Sequence, residues 1–306
     1  MRGFLIRIML YGLAIALALF GVVLLADGTT DPYYLRLTTP RQAGLIVGTS
    51  RAAQGLIPHL MPAGRSPDYN FSFTGLHSPY GPTYLEAIGK KMDTQARDAH
   101  HIVAIEPWGL CADKADPNDS SLFPESALFL GTLPRMDVNP NVCYFLQGGV
   151  ERLWDVIAHR IEPDRMVVQA DGWLQVDINR SPVEVQARLD DGMRENRSKA
   201  RTLAYSAVRE DYLHRTVQLL RSTGRVCLVR MPVSPPLRAL EDSVVPDLGL
   251  RMRAIGAELG APYLDLSAAE GYTFTDGSHL NQASARRLSA VLMDLCDGAA
   301  GPASLP

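Results

Sequence analysis

The chain has no Cys-x-x-Cys pair, no internal repeat and no block of like charge. Its cysteines, Cys111, Cys143, Cys227 and Cys296, lack the close spacing of a metal knuckle. His100-His101 is the nearest thing to a ligand pair, and no motif supplies a third ligand. Nothing in the sequence calls for a metal or a cofactor. Net charge is −3, the pI is about 6.2, and without a basic run no nucleic-acid partner is indicated. The absence of a repeat leaves ordinary globular organisation in one or two domains.

Charge is also missing from one long stretch. Ile8–Ala26, "IMLYGLAIALALFGVVLLA", runs 19 residues without a charged side chain. At 1.5 Å per residue it spans roughly 30 Å, the hydrocarbon core of a bilayer. Arg2 and Arg7 precede it and Asp27 follows. The positive-inside rule then puts the N-terminus in the cytoplasm and the rest outside, as a single-pass protein of the cytoplasmic membrane with its domain in the periplasm or beyond. A cleaved signal peptide would have a shorter apolar region and an A-x-A-like site, which Leu24-Leu25-Ala26 is not. An exported domain permits disulfides. Cys111 and Cys143 share a loop-rich stretch and are the expected pair. Cys227 on a strand and Cys296 on the last helix are expected to be reduced packing residues.

Residues 1–26 are thus an anchor and 27–43 a linker. Beyond them strand and helix patterns alternate. Strand signals occur at Gly44–Thr49, Tyr69–Thr74, His101–Glu106, Arg225–Met231 and Tyr263–Leu266. Helix signals occur at about Tyr84–Arg97, Thr202–Ser222, Pro246–Leu259 and Gln282–Cys296. This alternation predicts an α/β domain over 44–296 with about five mostly parallel strands. Residues 107–200, rich in Pro, Asp and Asn, interrupt it. That insertion should hold a helix near Glu151–Arg160 and a hairpin in "RMVVQADGWLQVDI". Residues 297–306 read as a frayed tail.

In such open sheets, ligands bind at the carboxyl ends of the strands. Gly48-Thr49-Ser50 follows the first strand, Gly75 follows the second, and Asp276-Gly277-Ser278-His279 follows the last. A serine is a weak nucleophile and needs a base within hydrogen-bond reach. An imidazole suits, since it titrates near neutrality, and a carboxylate on its far nitrogen fixes its tautomer. Asp276 and His279, three apart in one loop, supply both groups. Each motif alone has a plainer use: Ser50 as a helix cap, Asp276 as a turn residue.

Taken together, "GTS" and "FTDGSHLNQASARRLS" resemble the SGNH (GDSL-like) hydrolase superfamily over about 44–106 and 202–296. The resemblance implies a three-layer flavodoxin-like fold with strand order 2-1-3-4-5. It implies Ser50 as nucleophile, His279 as base and Asp276 as its orienter. It also implies an oxyanion hole from the backbone of Ser50 and Gly75. Two departures stand out. Thr49 replaces the usual Asp, and no Asn stands at Glu106, Pro107 or Trp108, where the family's third block supplies an oxyanion donor. The anchor and the divergent third block are similar to those of membrane-anchored relatives that transfer acyl or D-alanyl groups to envelope polymers.

The resemblance therefore implies an acyltransferase moving a short acyl group, such as acetyl, onto a polysaccharide, with a multispanning acyltransferase as possible partner. An esterase removing such groups and a non-catalytic scaffold or glycan-binding component are the alternatives. Arg51 and Arg230 are candidates for holding an anionic sugar group, or else for ion pairs at the sheet edge. Trp108 is a candidate sugar platform with Trp154 and Trp173, or else a packing residue. His77 reads as a loop histidine, and Glu106 with Asp171 as a carboxylate pair without supporting spacing.

Overall fold

The computed structural model describes residues 1–162, 164–178 and 181–298, with the side chain of Val150 left aside. Five strands form one parallel sheet: Leu45–Val47, Tyr69–Asn70, Ala99–Ile105, Gly224–Arg230 and Tyr263–Asp265. Numbered along the chain, they lie in the order 2-1-3-4-5. The expected alternation is present, and most predicted boundaries shift by only a few residues.

Successive strand side chains point to opposite faces. Leu45, Val47, Val103, Ile105, Val226 and Leu228 face one way, onto the helices Pro82–Lys91, Ala207–Arg221 and Leu248–Leu259. Ile46, Ile102, Ala104, Cys227 and Val229 face the other, onto Ser50–Gly55 and Gln282–Cys296. Both faces are covered, which is why the central strands read as unbroken apolar runs.

Three expectations need correction. Cys227 and Cys296 are not reduced: they form a disulfide with a Cα–Cα distance of 5.9 Å. The register turns Cys227 toward the face on which the last helix packs, and that helix ends at Cys296. Cys111 and Cys143 are both free, one buried in a short strand and the other exposed on a helix. Residues 27–43 are no loose linker either. Tyr34–Leu37 forms a buried 3-10 turn. Within it, the Arg36 guanidinium donates to the carbonyls of Pro32, Asn70 and Gly172.

The insertion is tied at its base by an antiparallel ribbon, Cys111–Asp113 against Leu203–Tyr205. It contains the expected hairpin, Met166–Val168 with Leu174–Val176, and a helix over Val142–Ile161 that is interrupted at Gly149. It also contains an unexpected helix, Pro182–Thr202. Its start is legible in retrospect: Ser181 caps it by accepting from the Glu184 N–H, Pro182 follows the cap, and Glu184 lies three residues on.

The N-terminal helix spans Arg2–Val23 and is almost wholly exposed. It is long and apolar enough to cross a membrane.

Candidate active site

Ser50 opens a helix directly after the first strand. Gly48 is required just before it because a Cβ there would stand 2.8 Å from the Ala104 Cβ and 3.1 Å from that of Ala52. The turn is pinned from three sides. The Gly48 N–H donates to the Tyr84 hydroxyl, and its carbonyl accepts from Ser78 Oγ at 2.8 Å. The Asn70 amide donates to the carbonyls of Ala52 and Leu56, bolting the short helix to the second strand. Asn70, Ser78 and Tyr84 carried no motif in the sequence, since their role arises only through contacts 14–36 residues away.

The facing loop is equally fixed. The Thr275 N–H donates to the His279 carbonyl at 2.9 Å, closing the loop ahead of the last helix. Gly277 has φ +82°, in the region that favours glycine, and its carbonyl accepts from the Ser234 N–H. Asp276 Oδ1 accepts from the N–H groups of Ser278 and His279 at 2.9 and 2.8 Å. Its Oδ2 lies 2.6 Å from His279 Nδ1. On the other side of the ring, His279 Nε2 lies 2.8 Å from Ser50 Oγ. Proton placement that satisfies both partners puts hydrogen on Nδ1 and leaves Nε2 to accept from the serine.

Burial pushes the Asp276 carboxyl up. The hydrogen bond and charge of His279, with the two backbone donors, outweigh that and hold it at about 2. Asp276 is therefore an anion at any ordinary pH, suited to stabilise an imidazolium as one forms.

The three side chains open onto a cleft of about 810 Å³. Leu76, Leu122, Phe123 and Pro124 give it an apolar wall. The Pro182–Thr202 helix closes another side with Gly192, Glu195, Asn196 and Lys199. Arg188 of that helix donates from Nε to the Thr275 carbonyl at 2.9 Å, so the insertion touches the Asp276–His279 loop directly. Gly75 lines the cleft, and a Cβ there would meet nothing within 4 Å. The Ser50 N–H, at a helix N-terminus, has no intrahelical acceptor. Trp108 also lines the cleft, and its buried indole N–H has no hydrogen-bond partner among the described residues.

The two arginines are committed elsewhere. Arg51 Nε stands 2.9 Å from Ser278 Oγ and 2.8 Å from Glu106, and its Nη2 meets Glu241 at 2.5 Å. It touches the cleft edge, with its Nε and Nη2 engaged by these partners. Arg230 lies outside the cleft lining and pairs with Asp242 at 2.8 Å and Glu241 at 3.4 Å. Both residues make the ion pairs that one of the two readings expects, Arg51 at the cleft edge and Arg230 away from its lining. Glu106 is thereby bound to Arg51, while Asp171 sits 2.7 Å from His59. They do not form a carboxylate pair.

His77 accepts or donates at Thr74 Oγ1, 2.7 Å away, and stacks on Phe129. Burial lowers its pKa to about 4, which leaves a neutral loop imidazole. Trp173 is buried with its N–H on the Gln54 carbonyl, and Trp154 is exposed. Among the described residues, no cluster of three or more His, Cys, Asp or Glu side chains is arranged to hold a metal ion.

Comparison with family models, curated proteins and solved structures finds no match to this chain.

Proposed function

We propose that this chain is a membrane-anchored, extracytoplasmic serine acyl-transfer enzyme of the SGNH kind, moving a short acyl group such as acetyl onto an envelope or exported polysaccharide. The observation that carries the reading is the hydrogen-bonded series Asp276–His279–Ser50 at the strand ends, opening on a cleft. The parallel sheet order 2-1-3-4-5, covered on both faces, is the layered frame such a site uses. The disulfide supports an oxidising compartment, and the apolar N-terminal helix supports an anchor with the domain outside.

In the first half-reaction Ser50 Oγ attacks the carbonyl of an acyl ester while His279 Nε2 takes the hydroxyl proton. The oxyanion is held by the Ser50 and Gly75 N–H groups. Collapse breaks the ester bond, and the leaving alkoxide takes the proton from His279. In the second, a sugar hydroxyl gives its proton to His279 and attacks the acyl-serine carbonyl; collapse breaks the acyl–Oγ bond, and Ser50 Oγ takes the proton back from His279. Water in place of the sugar makes the same enzyme an esterase, so the acceptor decides between the two activities.

The test is to give the full chain in detergent a chromogenic acetate ester, with and without an acceptor oligosaccharide. The expected result is slow hydrolysis alone and a mass gain of one acetyl group on the acceptor when it is present. Hydrolysis without transfer to any sugar would establish the esterase instead. Neither reaction would favour the scaffold.

A further inference from the structure

The apolar N-terminal helix does not leave the domain on a free tether. Val23 and Ala26 are buried against the domain. Arg160 grips the chain just beyond: its Nη2 donates to the Leu25 carbonyl and the Asp27 carboxylate, each at 2.6 Å. His159 Nδ1 lies 2.9 Å from the Thr30 carbonyl, and the Tyr144 hydroxyl donates to Asp31 at 2.7 Å. The Val142–Ile161 helix is thus fastened from one end to the other onto residues 25–31.

That same helix buries Tyr144 and Phe145 but turns three other large apolar side chains outward. Leu146 is 76%, Trp154 64% and Ile161 81% exposed. Ile161 is the neighbour of Arg160, and Arg160 is bonded to Leu25. A bilayer crossed by the Arg2–Val23 helix must end near Leu25–Asp27, where the apolar run ends. Ile161 therefore lies at its edge. Trp154, seven residues earlier and on the same side of the helix, is about 10 Å away along the axis. Tryptophan favours the membrane–water interface because its ring is apolar and its N–H is not.

We propose that the outward face of the Val142–Ile161 helix is a second membrane contact, with Ile161 and Trp154 seated obliquely in the headgroup layer beside the anchor. The proposal rests on the reading of the N-terminal helix as a membrane span, and on no assumption about catalysis. Two contacts on a clamped junction fix the tilt of the domain. The insertion that carries this helix also supplies the cleft wall at Leu122–Pro124 and Gly192–Lys199. The cleft is then held at a set height and orientation over the bilayer, as a membrane-borne donor of acyl groups requires.

The chain has three tryptophans, none in the apolar helix, and Trp108 and Trp173 are buried. The full chain is reconstituted into phosphatidylcholine vesicles whose acyl chains carry bromine near the headgroup, and tryptophan emission is read after flotation. The expected result is co-flotation, a loss of emission relative to unbrominated vesicles, and disappearance of that bromine-sensitive loss in Trp154→Phe. Co-flotation without quenching, or quenching unchanged in Trp154→Phe, would overturn the second contact alone and leave the face for a protein partner. Failure to float would overturn the anchor and this contact together.

Discussion

Arg51→Ala tests how the site is held together. The Arg51 side chain is 7% exposed and lies between Glu106, 9% exposed, and Glu241, fully buried. Burial alone would lower the guanidinium pKa, yet the two carboxylates raise it above the usual value. Removing the arginine leaves Glu106 with no partner among the described residues and Glu241 with only Arg230, at 3.4 Å. Uncompensated buried charge of this kind costs about 3–5 kcal/mol. For a domain of this size that is a fall in Tm of roughly 6–20 °C, at about 2–4 °C per kcal/mol. The assay is thermal unfolding of the full chain in one detergent, wild type against Arg51→Ala and Arg51→Met/Glu106→Gln/Glu241→Gln. The triple change removes the stranded charges and should recover much of the loss. A fall below about 1 kcal/mol for Arg51→Ala, the size of an exposed pair, would refute the reasoning.

Asp276→Asn should lower any acyl-transfer rate by on the order of 10⁴, because the amide favours the wrong histidine tautomer, and a loss under tenfold would argue against the orienting role. The Asp276 carboxyl sits at about 2, below its ordinary 3.8, so its contribution is present above pH 4 and is lost as pH falls toward 2. That contribution is roughly 2 kcal/mol, and Asp276→Asn should flatten this part of an acid-denaturation curve. Gly277→Ala should cost about 1–3 kcal/mol and most of the activity, since φ is +82° and the new Cβ would lie 2.3 Å from Leu189 Cδ1; unchanged activity and melting would contradict it. Cys296→Ser opens a cross-link spanning 69 residues, and chain-entropy loss predicts a destabilisation of roughly 4 kcal/mol, measurable by denaturant titration against the wild type under oxidising conditions.

The sheet and the Asp276–His279 pair were legible because both are written locally, whereas Ser50, 229 residues from His279, was picked out by its place after the first strand and by the resemblance. Runs such as "HIVAIE" and "RVCLVRM" declare buried parallel strands, and Asp276 and His279 lie in one loop whose spacing alone lets them meet. What escaped is what only the fold brings together. Cys227 and Cys296 are 69 residues apart, and nothing but strand register points one at the other. Arg51 and Glu241 are 190 apart, so an arginine beside Ser50 read as well for a sugar ligand as for an ion pair. The Pro182–Thr202 helix was missed differently. Its faces are polar, with no buried position to give a period, and only the Ser-Pro-x-Glu start announced it.

The central claim is that His279 activates Ser50, and the direct measurement is active-site labelling of the full chain by a fluorophosphonate, with the modified residue located by peptide mass. The account predicts one adduct, on Ser50, absent from both Ser50→Ala and His279→Ala. The two changes together should remove no more than either alone, because members of such a triad act as a unit. An adduct on another serine, or labelling of Ser50 undiminished in His279→Ala, would contradict it.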